Sequence, residues 1–463
     1  MLLNALSKLE QFDRHAFLAA HQAESPLVSV HMNPGKPILQ NGCWPAFFAD
    51  PPFQISGPVP WASDACYLDR RPSFTQDPLF HAGTYYVQEA SGMFLAFVLQ
   101  QIADLSQKLR VLDLCAAPGG KSTLIQSLIS AESLLVSNEV IKTRVPVLYE
   151  NITKWGGANV MVTHNDPVHF KQLPGFFDLM LMDAPCSGSG LFRKDPEAMD
   201  KWSPELVGLC AQRQHRILQD VWGTLKESGL LIYSTCSYSK EENEDVLDWI
   251  AQQHHCTSLR LSPDPSWHIV ETRSDQAGAY GYRFYPDKVS GEGFFLAVLR
   301  KDGEAESLLR NTPMRSAKSN QSTERISKTA EKQLSRWIRD GSVQYVAVGE
   351  AIHGIPAGQV SDFGSIKNVL YLKKAGIRLG KSGENDWIPD QELALANILN
   401  DQAQCLDLGK PDALDFLRGN NLEVGGAEKG WRLVRYQGFG LGWVKMLEKR
   451  INNYYPKSWR IRQ

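Results

Sequence analysis

The sequence predicts an α/β protein built around a mostly parallel sheet, and three observations carry that prediction. Between residues 85 and 300, short apolar runs alternate with segments of helical periodicity. Strands separated in this way by helices pair in parallel and are covered on both faces. Pro, Ser and Gly follow several of the apolar runs, where an open α/β sheet carries its ligand-binding loops. Finally, 463 residues with 43% hydrophobic and 22% charged content give an ordinary globular composition, long enough for more than one domain.

The elements follow in order. Residues 1–80 form an N-terminal α/β accessory segment, with a helix expected at 2–20, a strand at 27–31 and a Pro-rich passage from Pro51 to Pro78. The opening "MLLNALSKLEQFDRH" alternates apolar and charged residues and lacks the apolar run of a signal peptide or anchor. No stretch approaches the roughly 18 apolar residues of a membrane span. A second domain, 81–302, has strands expected at 110–114, 134–139, 158–163, 178–183, 229–234 and 293–299. Its helices are expected near 88–104, 121–130, 141–154, 204–226 and 241–253. Residues 303–330 are polar and poor in aromatics, as a linker is. Beyond them, "VQYVAVG" and "GWRLVRYQGFGLGWVKML" predict a compact mixed α+β domain over 331–463. Eight cysteines without a CxxC pair argue against a disulfide framework or a zinc module and for a reducing cytoplasm.

Net charge is formally −2, yet its distribution is uneven. Residues 429–463 hold nine Lys or Arg against Glu448, and residues 310–339 hold eight against Glu324 and Glu331. Such blocks suit a phosphate-bearing partner, although solvated charge is the ordinary alternative. In "RINNYYPKSWRIRQ" aromatics interleave with bases, a pattern suited to stacking on nucleobases as well as to packing a small β-domain.

The stretch "LDLCAAPGGKST", Leu112 to Thr123, resembles a phosphate loop at first sight. A Walker loop requires Gly, then four residues, then Gly-Lys-Ser/Thr, and the first position is Cys115, so the match fails. The dinucleotide pattern G-x-G-x-x-G fails as well. What remains is a strand, a tight small-residue loop and a helix start near Lys121, with Asp113 near the strand end and Glu139 at the end of the next strand. Glu139 lies 20 residues after Gly119, the distance at which an acid takes ribose hydroxyls. A nucleoside-bearing ligand without a polyphosphate fits, S-adenosylmethionine among them, its ammonium within the means of an acid such as Asp113.

Two later strands each end in a thiol. "FFDLMLMDAPCSGSG" places Asp183 and Cys186 at a carboxyl end, and "GLLIYSTCSYS" places Cys236 at another. A free cysteine is usually a small hydrophobe, which accounts for Cys43, Cys66, Cys210, Cys256 and Cys405. At Cys186 and Cys236 the surrounding Pro, Ser and Gly weaken that account. A methyl donor, a thiol and a carboxyl together suit methylation at carbon 5 of a pyrimidine. A thiolate adding to carbon 6 makes carbon 5 nucleophilic, while the Asp183 carboxyl holds N3 of cytosine as charge develops.

"LDLCAAPGGKS", "DAPCSGSGLFRKDPE" and "YSTCSYSKEENED" resemble the motifs of the NSUN/RsmF family of RNA (cytosine-5)-methyltransferases. "YYVQEASGMFL" and "RINNYYPKSWRI" resemble its bacterial RsmF branch, which methylates ribosomal RNA. The resemblance implies a Rossmann-like class I methyltransferase domain and a PUA-like C-terminal RNA-binding domain. It further implies S-adenosylmethionine as cofactor, held by Cys115, Ala116, Ala117, Pro118, Gly119, Gly120 and Lys121, with Glu139 on the ribose, Asp166 near the adenine and Asp183 near the methionyl end and the base. By the same resemblance Cys236 is the nucleophile and Cys186 assists product release, whereas DNA cytosine methyltransferases attack with the PC cysteine. The implied partner is ribosomal RNA, 16S before others, in or out of a small subunit, with tRNA and 23S rRNA as alternative substrates of the same chemistry and the target base unpaired or flipped; neither membrane nor metal is expected.

Other residues stay open. Arg193 and Lys194 suit contacts to an RNA backbone or plain surface charge. Gln88 and Glu89 border the cofactor or cap a helix. His254, His255 and Cys256 look metal-like yet lack a partner at ligand spacing. An ATP-binding protein and a non-catalytic RNA assembly factor are the competing readings; the missing Walker glycine opposes the first, and the second uses neither thiol.

Overall fold

The fold is given by a computed structural model, which describes residues 51–195, 197–303, 341–383, 387–400, 403–422, 428–448 and 450–462, residues 27–39, and parts of 3–22 and 331–339. The expected linker and most of the basic block at 310–339 lie outside the described residues.

At the N-terminus a helix spans Arg14–Gln22. Of the expected helix 2–20, residues 2, 4, 5, 8 and 10 lie outside the described residues and Leu3 and Leu6 are helical; Gln11 has a positive φ of 60°, and the Asp13 carboxylate accepts from the amides of His15 and Ala16, so the Arg14–Gln22 helix begins there. Four antiparallel strands follow, β1 (Val28–Met32), β2 (Ile55–Val59), β3 (Ala62–Leu68) and β4 (Tyr85–Val87), in the order β2-β3-β1-β4.

The central sheet contains β5 (Arg110–Asp113), β6 (Leu134–Asn138), β7 (Val160–Thr163), β8 (Phe177–Asp183), β9 (Leu225–Thr235), β10 (Cys256–Ser258), β11 (Val270–Arg273), β12 (Tyr280–Phe284) and β13 (Phe294–Lys301). Its order is β11-β12-β13-β9-β8-β5-β6-β7, with β10 beside β13. Pairing is parallel from β9 through β8, β5 and β6 to β7, and antiparallel on the β13 side. Alternate residues feed two cores. Val111, Leu135, Val160, Leu179 and Ile232 face the helices Phe94–Ile102, Gly120–Leu128 and Val145–Trp155. Leu112, Val136, Met161, Met180 and Leu231 face the helices Pro204–Val221 and Glu244–Gln253. Strands buried on both faces read as continuous apolar runs, which is why the sequence disclosed them. Each large side chain so buried contributes about 1.5–3 kcal/mol.

Several bounds differ from expectation. The helix expected at 88–104 is a turn, Ser91–Met93, followed by Phe94–Ile102. The one expected at 141–154 starts only at Val145, just before Pro146, whose missing N–H suits a first turn. The one expected to run to 226 ends at Val221, since Leu225 already belongs to β9. Strands β10 to β12 were not expected; they are short and carry charged residues such as Glu271, Arg273 and Arg283.

The C-terminal segment begins with β14 (Gln344–Val348), β15 (Ala351–Ile355), β16 (Leu372–Ala375), β17 (Ile377–Ser382) and β18 (Trp387–Pro389). Of these, β14, β15, β17 and β18 form one sheet, whereas β16 joins the edge of the central sheet and pairs antiparallel with β7, Leu372 opposite Thr163. The preceding helix, Val360–Val369, buries Phe363 and Ile366 in the second core. A buried Glu392 completes the junction, accepting from Lys374 and from Tyr149 of the helix Val145–Trp155. The last unit holds β19 (Cys405–Asp407), β20 (Gly430–Tyr436), β21 (Phe439–Met446) and β22 (Ile451–Asn453), in that order. There Tyr455 packs on Phe416 in the core while Tyr454 is exposed beside Trp431. No helix among the described residues is long and apolar enough to cross a membrane.

Candidate active site

Loops at the carboxyl ends of β5 to β9 form one edge, and the residues singled out by sequence lie along it. After β5 the chain turns through Cys115 to Gly120. The amide of Ala116 donates to the Asn138 carbonyl at 2.8 Å, and the Ala117–Pro118 peptide is cis. Gly119 has a φ of 116°, a conformation that costs little only for glycine. A side chain at Gly120 would meet the Tyr86 ring at 3.0 Å, so this turn is wedged against the N-terminal domain. Burial, reinforced by the Asp113 and Asp183 charges, pushes the Cys115 thiol far above its usual range; it is a poor nucleophile.

Lys121 is no phosphate clamp. Its ammonium pairs with Asp183 Oδ2 at 2.8 Å and stands 5.2 Å from the Phe294 ring centre. Burial alone would lower its pKa, but the Asp183 carboxylate and the nearby Cys236 sulfur leave it raised. The other Asp183 oxygen accepts from Ser234 Oγ at 2.7 Å. Asp113, buried beneath this pair, accepts from Ser122 Oγ at 2.6 Å. Burial pushes its carboxyl up to about 7, with the Asp183 and Glu139 charges adding to the rise and Ser122 opposing it.

Glu139 follows β6, its Oε1 accepting from the amide of Ile141 at 2.8 Å and its Oε2 lying 3.4 Å from Arg144. Arg144 also donates to the carbonyl of Ala117. Asp166 caps the turn Pro167–Gln172 by accepting from the amide of Val168. Two asparagines that sequence reasoning missed fasten these turns. Asn138 Nδ2 donates to the carbonyls of Leu114 and Asn165, and its Oδ1 accepts from Thr163 Oγ1 and the Asn165 amide. Asn165 in turn accepts from the amide of Tyr371 at 3.0 Å and donates to its carbonyl at 3.2 Å. The C-terminal segment is thereby bonded to the residue preceding Asp166.

A ligand test follows from the buried oxygens. Asp113 Oδ1 lacks a hydrogen-bond partner among the described residues, and Glu139 Oε2 has no hydrogen bond there beyond its ion pair with Arg144. Two such carboxylates beside a glycine turn suit a ligand bearing hydroxyls and a cation.

The two thiols converge. Cys186 Sγ and Cys236 Sγ lie 3.1 Å apart although 50 residues separate them in sequence. The parallel pairing of β8 with β9, Asp183 opposite Ser234, brings them together. Both loops interlock, since the amide of Gly190 donates to the Cys236 carbonyl at 2.8 Å and that of Gly293 to the Gly190 carbonyl. The Cys236 sulfur, and then burial, hold the Cys186 thiol well above its usual range. Behind them stand Glu242, Asn243 and Glu244. Thr235 Oγ1 donates to Asn243 Oδ1, Asn243 Nδ2 donates to the Ser237 carbonyl, and Glu244 forms a buried ion pair with Arg283. The polar run "KEENED" after the thiol was the available signal for these residues.

Some readings end elsewhere. Arg193, whose side chain is 11% exposed, lies 3.8 Å from Glu292 and donates to the Gly291 carbonyl, so it is no free surface charge. Glu89 accepts from the amides of Ser91, Gly92 and Glu292, which is a capping role. His254 stacks on Trp222 at 4.5 Å. No cluster of three potential metal ligands occurs among the described residues.

Comparison with known proteins places this geometry. The N-terminal domain of 16S rRNA methyltransferase RsmF matches residues 3–90, 16S rRNA methyltransferase RsmB/F matches 100–300, and the methyltransferase RsmF PUA domain matches 403–461. A ribosomal RNA small subunit methyltransferase F from Enterobacter sp. (strain 638) is 31% identical over 418 residues, covering 87% of this chain and 83% of that one. Its counterpart from Escherichia coli O157:H7 is 29% identical over 87% and 84%. Among solved structures, a methyltransferase homolog protein from Pyrococcus horikoshii aligns with a TM-score of 0.54 and 29% identity, over 64% of this chain and 93% of its own. NSun6 from the same organism, solved with SFG, shares the fold at a TM-score of 0.53 and 19% identity, over 65% and 98%. With the three matched stretches in this order and similarity along most of its length, the chain belongs to the RsmB/F family of 16S rRNA methyltransferases, in its RsmF branch.

Proposed function

We propose that the protein methylates carbon 5 of a cytosine in small-subunit ribosomal RNA, using S-adenosylmethionine, with Cys236 as nucleophile. The observation that carries this reading is the thiol pair 3.1 Å apart beside the Asp183–Lys121 ion pair. The Cys115–Lys121 loop would hold the cofactor, with Glu139 on the ribose, Asp166 at the adenine end and Asp183 at the methionyl end. When bound, the cofactor supplies an electrophilic sulfonium methyl group.

The chain's own residues do the rest. Cys236 adds its sulfur electron pair to C6 of an extruded cytosine, and the C5–C6 π electrons become available at C5. Asp183, steadied by Lys121 and Ser234, bonds the protonated N3 where charge develops. Lys121 also provides positive charge beside the Cys236 sulfur. Once C5 is methylated, its hydrogen departs as a proton to a water molecule, the C5–C6 double bond re-forms as Cys236 leaves as thiolate, and N3 releases its proton. Cys186, which keeps its proton, bonds to that departing sulfur. The C-terminal unit and its basic tail hold flanking RNA, and a reducing cytoplasm keeps both thiols free.

The test compares Cys236→Ala with Cys186→Ala on 16S ribosomal RNA and a methyl-labelled donor. The first should transfer no methyl. The second should accumulate a protein–RNA adduct that survives a denaturing gel. Continued cytosine methylation by Cys236→Ala would overturn the assignment.

A further inference from the structure

One buried carboxylate grips both thiol loops. Glu242 closes the turn Lys240–Glu242 after the Cys236 loop and is inaccessible to solvent. Its Oε1 accepts from the Ser187 amide at 2.7 Å, and its Oε2 accepts from Ser187 Oγ and from Ser237 Oγ, each at 2.5 Å. Ser187 follows Cys186 and Ser237 follows Cys236, so a single group fixes the neighbour of each thiol. Tyr233 in β9 donates to the Glu242 carbonyl at 2.6 Å and fixes the main chain in turn.

No cation pairs with Glu242 among the described residues. The groups around it are Ser187, Ser237, Tyr233, Glu241, Cys186 and, on the helix Pro204–Val221, Cys210. Burial raises its pKa, and the serine bonds offset part of the rise. Ionised, it places a negative charge behind Cys186, where it adds to the effects that keep that thiol protonated.

We infer that Glu242 is a positioning residue that sets the spacing of the two thiols and divides their labour, keeping Cys186 the proton-bearing partner. The division of labour rests on the function proposed above; the spacing and the charge effect do not.

Two measurements, neither using RNA or methyl donor, test it. In a Cys236→Ser background, the alkylation of Cys186 by iodoacetamide is followed against pH by peptide mass spectrometry. Glu242→Gln keeps the shape and an acceptor but removes the charge. It should speed alkylation near neutral pH about tenfold, the equivalent of one unit of pKa, and move the midpoint to lower pH. An unmoved midpoint would overturn the charge effect. With both thiols present, Ser187→Ala combined with Ser237→Ala leaves the carboxylate and its bond from the main-chain amide of residue 187 but removes both hydroxyl grips. Capture of phenylarsine oxide, which needs two adjacent thiols, should weaken at least fivefold; undiminished capture would overturn the spacing role. Should Glu242→Gln fail to fold, the serine pair alone decides the spacing role, and thiol alkylation with Glu242→Asp replaces the charge test by moving the charge. In methyl transfer Glu242→Gln should lower kcat with both KM values nearly unchanged. Cytosine methylation retained by Cys236→Ala would defeat the proposed function without touching either thiol measurement.

Discussion

At the ends of β8 and β9, the loops bearing Cys186 and Cys236 are fastened by buried charge, Glu242 on two serines and Glu244 on Arg283. At the ends of β5, β6 and β7, the loops bearing Cys115, Glu139 and Asp166 are fastened chiefly by the neutral amides of Asn138 and Asn165. Both sets are buried and span loops distant in sequence, yet they differ in what a substitution costs. Removing one member of a buried ion pair strands a charge, whereas removing an amide strands one or two hydrogen bonds. The half that bears the two thiols is thereby rigid and intolerant, while the half around the glycine turn is softer and is tied to the C-terminal segment through Tyr371.

That contrast can be broken in stages. The largest expected effect is on chemistry: Asp183→Asn removes the carboxylate that both halves share and should lower single-turnover methyl transfer by about 10²–10⁴-fold, with binding of S-adenosylhomocysteine reduced far less. Next, Glu244→Ala leaves the guanidinium of Arg283 buried and unpaired, and should cost about 3–5 kcal/mol in denaturant unfolding. Asn165→Ala should cost only about 1–3 kcal/mol, because it strands the amide of Tyr371, and should weaken binding of S-adenosylhomocysteine about tenfold. Tyr371→Ala leaves those main-chain bonds in place and should leave that affinity unchanged in the same calorimetric titration. Equal losses from Glu244→Ala and Asn165→Ala would erase the distinction between the halves.

The last prediction, confined to one buried residue, is a pH slope. The carboxyl of Asp113 is raised from 3.8 to about 7. Between those values the folded state holds a proton that the unfolded chain has released, so Asp113 makes stability fall as pH rises through that window. Asp113→Asn should flatten this part of the stability profile, read from urea midpoints at successive pH values.

What the sequence disclosed follows from locality. Strands β5 to β8 carry apolar runs bounded by polar ends, and the PC and TC thiols sit directly behind their strands, so residue order alone placed Cys186 and Cys236 on one edge. The pairing of Lys121 with Asp183 spans 62 residues and that of Ser187 with Glu242 spans 55; no local period encodes such contacts. Strand β16, "LKKA", is four residues long and half charged, and only its pairing with β7 gives it a partner. Arg193 shows the reverse error: a basic residue in a polar motif reads as exposed, but Glu292, about a hundred residues later, draws it inside.

The most direct test of the central claim uses RNA carrying 5-fluorocytidine at the target position. Fluorine at C5 leaves no proton to lose, so the Cys–C6 bond formed during methyl transfer cannot be undone. Peptide mapping of the trapped complex should find the methylated nucleotide on Cys236. An adduct on Cys186, or full methyl transfer with no adduct on either thiol, would contradict it.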